Sequence, residues 1–183
     1  TISIAAGATS GSVSIAAPSD DPYLDAGSVT RGITATSGGN FENLQIGTAS
    51  ATTTVSDTID ATTVSITGSG TVAEGATASY TVSLTSPAQT AVTVNLTYSG
   101  TAGDGSDYSG VASVTIAAGA SSASFSIATL QDVIGEGAEN FTVAIANAAG
   151  GNFESLLISG ANGAQTTTIN DDDTPTLAVS SPT

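Results

Sequence analysis

The sequence contains no cysteine, histidine, lysine, methionine or tryptophan. Without cysteine the chain can form neither disulfides nor thiolate metal sites. Without histidine, cysteine and lysine, the usual general bases and nucleophiles of enzymes are missing. Aromatic residues make up only 4% of the chain, too few for the platforms that position sugars between two catalytic carboxylates. The sequence therefore predicts a protein that is not an enzyme.

Positive charge is nearly absent as well. Arg31 is the single basic residue against sixteen Asp and Glu, and the net charge is −15. Because phosphate groups and anionic membrane surfaces are bound by Lys and Arg, neither nucleic acid nor a membrane surface is an expected partner. No run of about 18 apolar residues occurs, so no membrane insertion is expected. No signal peptide opens the sequence, as expected of a mature piece or of a protein exported without one.

What the sequence does contain is a regular alternation of apolar and polar residues. In "TASYTVSLTS", at 77–86, polar neighbours separate Ala78, Tyr80, Val82 and Leu84, and "AVTVNLTYS" at 91–99 repeats the pattern. A period of two with β-branched residues predicts strands with one buried face. Many such short segments, separated by Gly-rich turns, predict an all-β protein made of tandem Ig-like β-sandwich domains.

The chain also repeats itself at an offset of 112 residues. "TISIAAGATSGSVSIAA" at 1–17 matches 113–129, and "GGNFENLQIG" at 38–47 matches 150–160. "TTTVSD" at 52–57 matches "TTTIND" at 166–171 after a two-residue insertion. We therefore predict three segments: the C-terminal half of one β-sandwich repeat at 1–57, a complete repeat at 58–173, and a linker with the first strand of a following repeat at 174–183.

The first copy lacks any counterpart of the strands between Val64 and Tyr98. Half a sandwich exposes its core and leaves strand edges unpaired. Two explanations stay open at this point. Either the segment belongs to a longer tandem array, or a neighbouring chain donates the missing strands, as in donor-strand polymers.

Acidic residues of the complete copy fall where strand ends and loops should meet. Since alternate loops of a sandwich share a pole, the acids of "VAEG", "GDGSDYSG", "LQDVIGEGAENF" and "INDDDT" are expected to converge. Converging carboxylates without a basic residue need a metal ion. Oxygen ligands in irregular loops favour Ca²⁺. The predicted ligands are Glu74, Asp107, Asp132, Glu136, Asp171, Asp172 and Asp173, with Asp104 and Glu139 as further candidates.

The first copy departs from this pattern. Asp20 keeps the place of Asp132, but Leu24 stands at the place of Glu136, and the terminal acidic run is thinned to "DTID". A different or weaker metal site is predicted there, formed by Asp20, Asp25, Asp57 and Asp60.

Two kinds of residue outside these sites also have a predicted place. Arg31 matches the inward position of Val143, where an unpaired charge would be costly, so it should reach solvent or pair with an acid. Glu42 and Glu154 belong to the repeated "GGNFE" motif and are interpreted as surface residues.

The motifs carry a family resemblance. "VAEGATASYTVSLT", "GTAGDGSDYSG", "DVIGEGAENFTV" and "INDDDTPT" resemble a Calx-β domain, which implies calcium ligation by Glu74, Asp107, Asp132, Glu136 and Asp171 to Asp173. The first half is similar to the tandem repeats of giant bacterial RTX adhesins. That likeness implies type I secretion, an extracellular cell-surface location and a role as extender modules in biofilm attachment.

Two structural functions are therefore expected. The first is a calcium-rigidified extender of a secreted bacterial surface adhesin, whose partners are neighbouring repeats joined through calcium-bridged junctions. The alternative is a subunit of a self-assembling extracellular filament, completed by strands from a neighbouring chain.

Overall fold

The computed structural model describes residues 1–174 and divides the chain into two compact units, Thr1–Thr58 (unit 1) and Ile59–Thr183 (unit 2). Regular structure in the described residues consists of strands, and none of them forms a helix that could cross a membrane. The predicted linker and strand at 174–183 lie outside the described residues except for Thr174. The predicted boundaries of the repeats stay predictions.

Unit 1 contains one antiparallel strand pair, β1 (Gly27–Gly32) and β2 (Ser50–Val55). Residues 1–17 match a two-strand segment of unit 2 in sequence, yet they form no strand. A strand needs a hydrogen-bonded neighbour, and unit 1 has no counterpart of the strands that supply it in unit 2.

The described part of unit 2 holds ten strands: β3 (Ala61–Gly68), β4 (Thr71–Ala73), β5 (Thr77–Leu84), β6 (Val92–Gly100), β7 (Tyr108–Ser109), β8 (Ser113–Ile116), β9 (Ser122–Thr129), β10 (Glu139–Gly150), β11 (Ser155–Ile158) and β12 (Ala164–Asn170). They form two five-stranded sheets, ordered β11-β3-β5-β9-β7 and β4-β12-β10-β6-β8. The two sheets form a β-sandwich, which confirms the predicted fold class.

The core of unit 2 follows from the alternation in the sequence. Along β5 every second side chain is buried, and the same holds at the start of β6. Aromatic rings pack against one another in this unit: the ring centroids of Tyr108 and Phe141 are 4.4 Å apart, and those of Tyr80 and Phe125 are 5.2 Å apart. The buried Tyr80 hydroxyl is hydrogen-bonded to Thr167 Oγ1, so the sandwich buries this polar group without leaving it unpaired.

Strand directions decide where the acidic loops lie. β12 runs parallel to β4 and antiparallel to β10, so the ends of β4 and β12 lie beside the start of β10. β5 begins at this same end, next to the end of β9, because Thr77 pairs with Ala128. β3 is antiparallel to β5 and therefore begins at the other end of the unit. We call the first end, with the loops at 74–76, 101–107, 130–138 and 171–173, the acidic pole.

Segments that match in sequence also share local conformation. The pairing of Gly27 with Val55 in unit 1 corresponds to that of Glu139 with Ile169 in unit 2. The hydroxyls of Thr30 and Thr52 are 2.7 Å apart, as are those of Thr142 and Thr166. Unit 1 thus has the strand geometry of β10 and β12 without the strands that surround them.

Candidate metal centre at the acidic pole

The turn after β4 brings Glu74 to the acidic pole. Gly75 adopts a positive φ of 70°, and the Ala76 N–H donates to the Ala73 carbonyl at 3.2 Å, which closes a tight turn. The Glu74 N–H donates to the Asn170 carbonyl at 2.9 Å, so the end of β12 fixes the position of this turn. Glu74 and the acidic run that follows β12 are therefore held side by side.

Carboxylates also hold the loop at 130–138. Glu74 Oε1 accepts a hydrogen bond of 2.7 Å from the Asp132 N–H. Asp171 Oδ2 accepts from the N–H groups of Glu136 and Gly137 at 2.9 and 3.0 Å. The side-chain amide of Gln131 donates to Asp172 Oδ1 at 3.0 Å. Every one of these bonds joins the loop to another segment of the pole.

The Gly-rich loop before β7 supplies two acids with different surroundings. Asp107 Oδ2 accepts from the Gly103 N–H at 2.5 Å, and its backbone carbonyl accepts from the Leu130 N–H at 2.9 Å. Asp104 Oδ1 accepts from the Gly110 N–H at 2.9 Å. Asp104 therefore closes its own loop, whereas Asp107 contributes to the centre of the pole.

Two groups of three acids result, each with carboxylate oxygens within 4.8 Å of one another. They are Glu74, Asp172 and Asp173 in the first group, and Asp107, Glu136 and Glu139 in the second. A cavity of about 20 Å³, large enough for one ion or water molecule, lies against the second group. Its lining includes all three acids of that group together with Glu74 and Asp171. Residues 1–174 contain no further group of this kind.

Burial and mutual repulsion raise the pKa of several of these acids. Desolvation raises the pKa of Asp173, and the charges of Asp172, Asp171 and Asp132 add to that effect. The N–H of Asp132 lowers the pKa of Glu74, but desolvation and three neighbouring carboxylates outweigh it, so the pKa is raised. Desolvation, with a hydrogen bond to Asp107, raises the pKa of Glu139.

Asp171 differs from its neighbours. The N–H groups of Gly137, Asp173 and Glu136 donate to its carboxylate and lower its pKa. Two aspartates that are two positions apart thus have opposite electrostatic surroundings. Backbone N–H groups donate to Asp171, whereas Asp173 is desolvated and lies near other carboxylates.

The residues of the pole fit a hard cation. Asp173 Oδ2 is buried and has no hydrogen-bond partner among the described residues. Unit 2 contains no Lys, Arg or His that could neutralise it. A buried carboxylate oxygen without a donor is costly, and a divalent cation with oxygen ligands removes that cost. Six carboxylates in two groups are the donor set that Ca²⁺ prefers.

The predicted ligands of unit 2 all lie at this pole, in two roles. Glu74, Asp107, Glu136, Asp172 and Asp173 belong to the close groups. Asp132 and Asp171 lie outside them. Asp132 accepts from the Ile134 N–H within its own loop, and Asp171 accepts from the Glu136 N–H of that loop. Glu139 was only a further candidate in the sequence, yet it belongs to the second group. The feature that could have identified Glu139 as a ligand is its place as the first residue of β10, because this strand starts at the acidic pole.

Of the four acids predicted as the metal site of the first copy, three lie in unit 1 and are close together. Thr58 Oγ1 donates to both oxygens of Asp20, at 2.7 and 2.8 Å, and the Asp25 N–H donates to Asp57 Oδ2 at 3.3 Å. These three acids line an open groove of about 440 Å³. Desolvation raises the pKa of Asp25, and repulsion by Asp57 adds to it.

Asp60 belongs to unit 2 and lies at the end away from the acidic pole. Its N–H donates to Glu154 Oε2 at 2.6 Å. Glu154 is half-buried, so its interpretation as a plain surface residue needs correction, whereas Glu42 is exposed. Arg31 is exposed on β1.

The LapA domain family matches residues 1–58 and 60–172. The chain belongs to the LapA domain family. This is a family of bacterial adhesins. No curated protein matches the chain.

Solved structures give the fold of this LapA chain. The apo form of the Calx CBD1 domain aligns with a TM-score of 0.53 and 23% identity, over 61% of this chain and 98% of that domain. CBD12 from CALX1.2 aligns with a TM-score of 0.52 and 22% identity, over 61% of this chain and 46% of that one. At these identities the likeness establishes the Calx-β sandwich fold and nothing more.

Proposed function

We propose that this LapA chain is a calcium-rigidified structural extender of a secreted bacterial surface adhesin. The observation that carries the proposal is the acidic pole, where three acids are close together beside a small cavity and three more include the buried Asp173 Oδ2, which lacks a donor. Membership in an adhesin family supports the adhesive setting and a cell-surface or extracellular location. The absence of His, Cys and Lys supports a role without catalysis.

Rigidity would come from the segments that the acids belong to. Glu74 follows β4, Asp107 precedes β7, Glu136 lies between β9 and β10, and Asp172 and Asp173 follow β12. Without a cation, their like charges repel one another. A bound Ca²⁺ supplies positive charge that offsets this repulsion, and these side chains would then hold three loops and the run after β12 as one rigid end. Neighbouring repeats are the proposed partners across such an end.

The proposed ion suits the proposed location. Weak sites of extracellular modules have Kd values of about 10⁻⁴–10⁻³ M, near extracellular calcium levels. Binding to the folded state alone also raises stability by mass action. Type I secretion and a role in biofilm attachment belong to the proposal through the resemblance to RTX adhesins.

Thermal melting of the metal-stripped chain, with and without Ca²⁺, tests this function. We expect Ca²⁺ to raise the melting temperature of unit 2 by several degrees. Asp173→Asn should remove most of this increase, because it removes one negative charge and one ligand oxygen while keeping the side chain's size. Glu42→Gln is the matched control, since Glu42 is exposed in unit 1 and should leave the increase unchanged. An equal increase for wild type and D173N would contradict the assignment of the site.

The filament alternative rests on a different observation, the exposed apolar side chains of unit 1. It requires a neighbouring chain to donate strands. In every such chain, however, the strands between residues 61 and 100 are already paired within unit 2 of that chain. Sedimentation separates the two functions, since a filament subunit should assemble at micromolar concentration and an extender segment should stay monomeric.

A further inference from the structure

The chain enters and leaves the sandwich of unit 2 at opposite ends. It enters ahead of β3, which begins at the end away from the acidic pole, and it leaves the described strands after β12, which ends at that pole. A pull on the chain from both sides of unit 2 therefore acts along the strands. The contacts that join the entering segment to β12 have to resist this pull.

The short strand β4 makes that connection. β3 and β12 belong to different sheets, but β4, the next strand after β3, pairs with β12 in parallel register, beginning with Thr71 opposite Thr168. The Thr168 N–H donates to the Gly70 carbonyl at 3.0 Å, and the Glu74 N–H donates to the Asn170 carbonyl at 2.9 Å. A backbone hydrogen bond thus lies at each end of the ladder.

The parallel direction of β4 and β12 decides how their hydrogen bonds are loaded. The pull reaches β4 through β3 at its first residue and reaches β12 at its last residue, so it slides one strand along the other. All the bonds between the two strands are then strained at the same time. β3 is pulled in the same direction, against its neighbours β5 and β11. In a pair that is pulled apart at one end, the bonds break one after another and a smaller force suffices.

A buried side-chain network joins the same two segments. Thr167 of β12 is fully buried, and its hydroxyl donates at 2.5 Å to the carbonyl of Ser69, which lies between β3 and β4. The hydroxyl of Tyr80 is hydrogen-bonded to Thr167 Oγ1 as well. Hydrogen bonds are stronger in the low dielectric of the interior than in water, so this network adds resistance to sliding.

The first carboxylate group of the acidic pole spans the same two strands. Glu74 directly follows β4, and Asp172 and Asp173 belong to the run that follows β12. A cation held by all three side chains would join the end of one strand to the end of the other. The second group has no member in either of these segments.

We propose that unit 2 bears tension along the chain and that the β4–β12 pair is its mechanical clamp. The clamp holds without metal. A cation at the first carboxylate group strengthens it by crosslinking its two strands, and this part of the proposal rests on the proposed function.

Unfolding of the full chain at constant force tests the clamp. The sequence has no cysteine, so engineered cysteines are unique points of attachment. Ile59→Cys and Thr174→Cys are exposed positions on the two sides of the described strands of unit 2, and a pull between them loads the clamp.

A second pair of attachment points loads the unit without loading the clamp. Gln89→Cys and Ala118→Cys are exposed positions in two turns, before β6 and after β8, that meet where the Gly119 N–H donates to the Ala88 carbonyl at 2.7 Å. Pulling these turns apart opens the β6–β8 pair from one end. β8 is the edge strand opposite to β4 in the same sheet, so the clamp stays unloaded.

Val72→Pro removes a donor from the clamp. The bonds of Gly70 and Glu74 show that alternate residues of β4 face β12, so the N–H of Val72, which lies between them, faces it as well. Proline lacks this N–H. Thr71→Pro is the matched control, because the N–H of Thr71 faces away from β12, and β4 is an edge strand, where proline is tolerated.

The measurements in EGTA are independent of the calcium proposal. Under the same load, wild type should unfold at least about tenfold more slowly when pulled at 59 and 174 than when pulled at 89 and 118. This comparison needs no variant of the clamp. With the pull at 59 and 174, Val72→Pro should unfold at least about tenfold faster than wild type, and Thr71→Pro within about twofold of it. With the pull at 89 and 118, Val72→Pro should stay within about twofold of wild type as well.

The crosslink is tested by adding saturating Ca²⁺ with the pull at 59 and 174. Wild type should then unfold at least about tenfold more slowly than in EGTA. A chain with both Asp172→Asn and Asp173→Asn should show no such change, because it lacks two of the three ligands that span the clamp.

Each part of the proposal can be overturned separately. Equal unfolding rates of wild type in the two directions, or equal effects of Val72→Pro and Thr71→Pro in EGTA, would mean that β4 and β12 are not the clamp. Calorimetric binding of Ca²⁺ without any change of the unfolding rate under load would overturn the crosslink and leave the calcium site standing. No binding of Ca²⁺ would overturn the proposed function and the crosslink, while the results in EGTA still decide the clamp.

Discussion

At the scale of single residues, neighbouring acids of the pole have different tasks. Asp171 accepts hydrogen bonds from three backbone N–H groups and holds the loop at 130–138. Asp173 has a buried oxygen without a donor and belongs to a group of close carboxylates. The first arrangement stabilises the metal-free fold, whereas the second one would become favourable if the proposed cation were bound.

This difference predicts opposite effects of one chemical change. In metal-free buffer, Asp171→Asn should lower the melting temperature by several degrees, because an amide accepts these N–H groups less strongly than a carboxylate does. Asp173→Asn should raise the melting temperature, because it removes the repulsion that Asp172, Asp171 and Asp132 exert on the Asp173 carboxylate. Thermal melting monitored by circular dichroism checks both, and a decrease of similar size in both variants would contradict the two assigned roles.

The raised pKa values of Glu74, Asp173 and Glu139 predict how stability depends on pH. A group with a raised pKa binds its proton more tightly in the folded than in the unfolded chain. Its contribution to stability is therefore present at low pH and lost as pH rises through the raised pKa. The metal-stripped chain should become more stable as the pH falls from neutral into the range where these carboxyl groups, whose pKa values are raised, bind protons.

Asp171 acts in the opposite direction, because its pKa is lowered. Its contribution is lost as pH falls through that lowered pKa, so stability should pass through a maximum at acidic pH and then decrease. With saturating Ca²⁺ the first part of the trend should reverse, because bound ligands must be deprotonated. Melting temperatures across this pH range, with and without Ca²⁺, check the prediction. A metal-free chain that loses stability steadily on acidification would contradict it.

At the scale of elements, the strands of unit 2 could be predicted because their alternation is strict and each has neighbours to pair with. Residues 1–17 have the same alternation as β8 and β9, yet they form no strand, since pairing depends on residues elsewhere in the chain. The convergence of the acidic loops could be predicted from strand order. The separate roles of Asp171 and Asp173 could not, because they depend on where the N–H groups of the loop at 130–138 point.

The repeated "GGNF" turn allows a test with matched variants. A Cβ on Gly151, which has a φ of 84°, would lie 2.2 Å from the Phe153 ring, and that ring is packed in the core. Gly151→Ala should therefore lower the free energy of unfolding of unit 2 by about 1–3 kcal/mol. Chemical denaturation measures this change. Gly160→Ala is the control, because a methyl group added there would have no other atom within 4 Å.

The equivalent change in unit 1 completes the comparison. A Cβ on Gly39 would meet the Phe41 ring at the same 2.2 Å, but this ring is 66% exposed and can move away. Gly39→Ala should therefore affect stability less than Gly151→Ala does. Equal losses from both changes would indicate that Phe41 is packed in solution.

At the scale of the whole molecule, a chain with a net charge of −15 and one basic residue cannot balance its charge internally. Its acids are concentrated at the acidic pole of unit 2, and its one basic side chain, Arg31, lies on β1 of unit 1. The excess of acids at the acidic pole is what the proposed Ca²⁺ would offset, and with the ion bound this end of unit 2 would become rigid.

Isothermal titration of Ca²⁺ into the metal-stripped chain measures whether the acidic pole binds a cation. We predict saturable binding with a Kd on the order of 10⁻⁴–10⁻³ M or tighter. This binding should be lost when Asp172 and Asp173 are both replaced by Asn, and it should persist in the Glu42→Gln control. The absence of any saturable heat for the folded wild-type chain would contradict the assignment of the acidic pole as a metal centre.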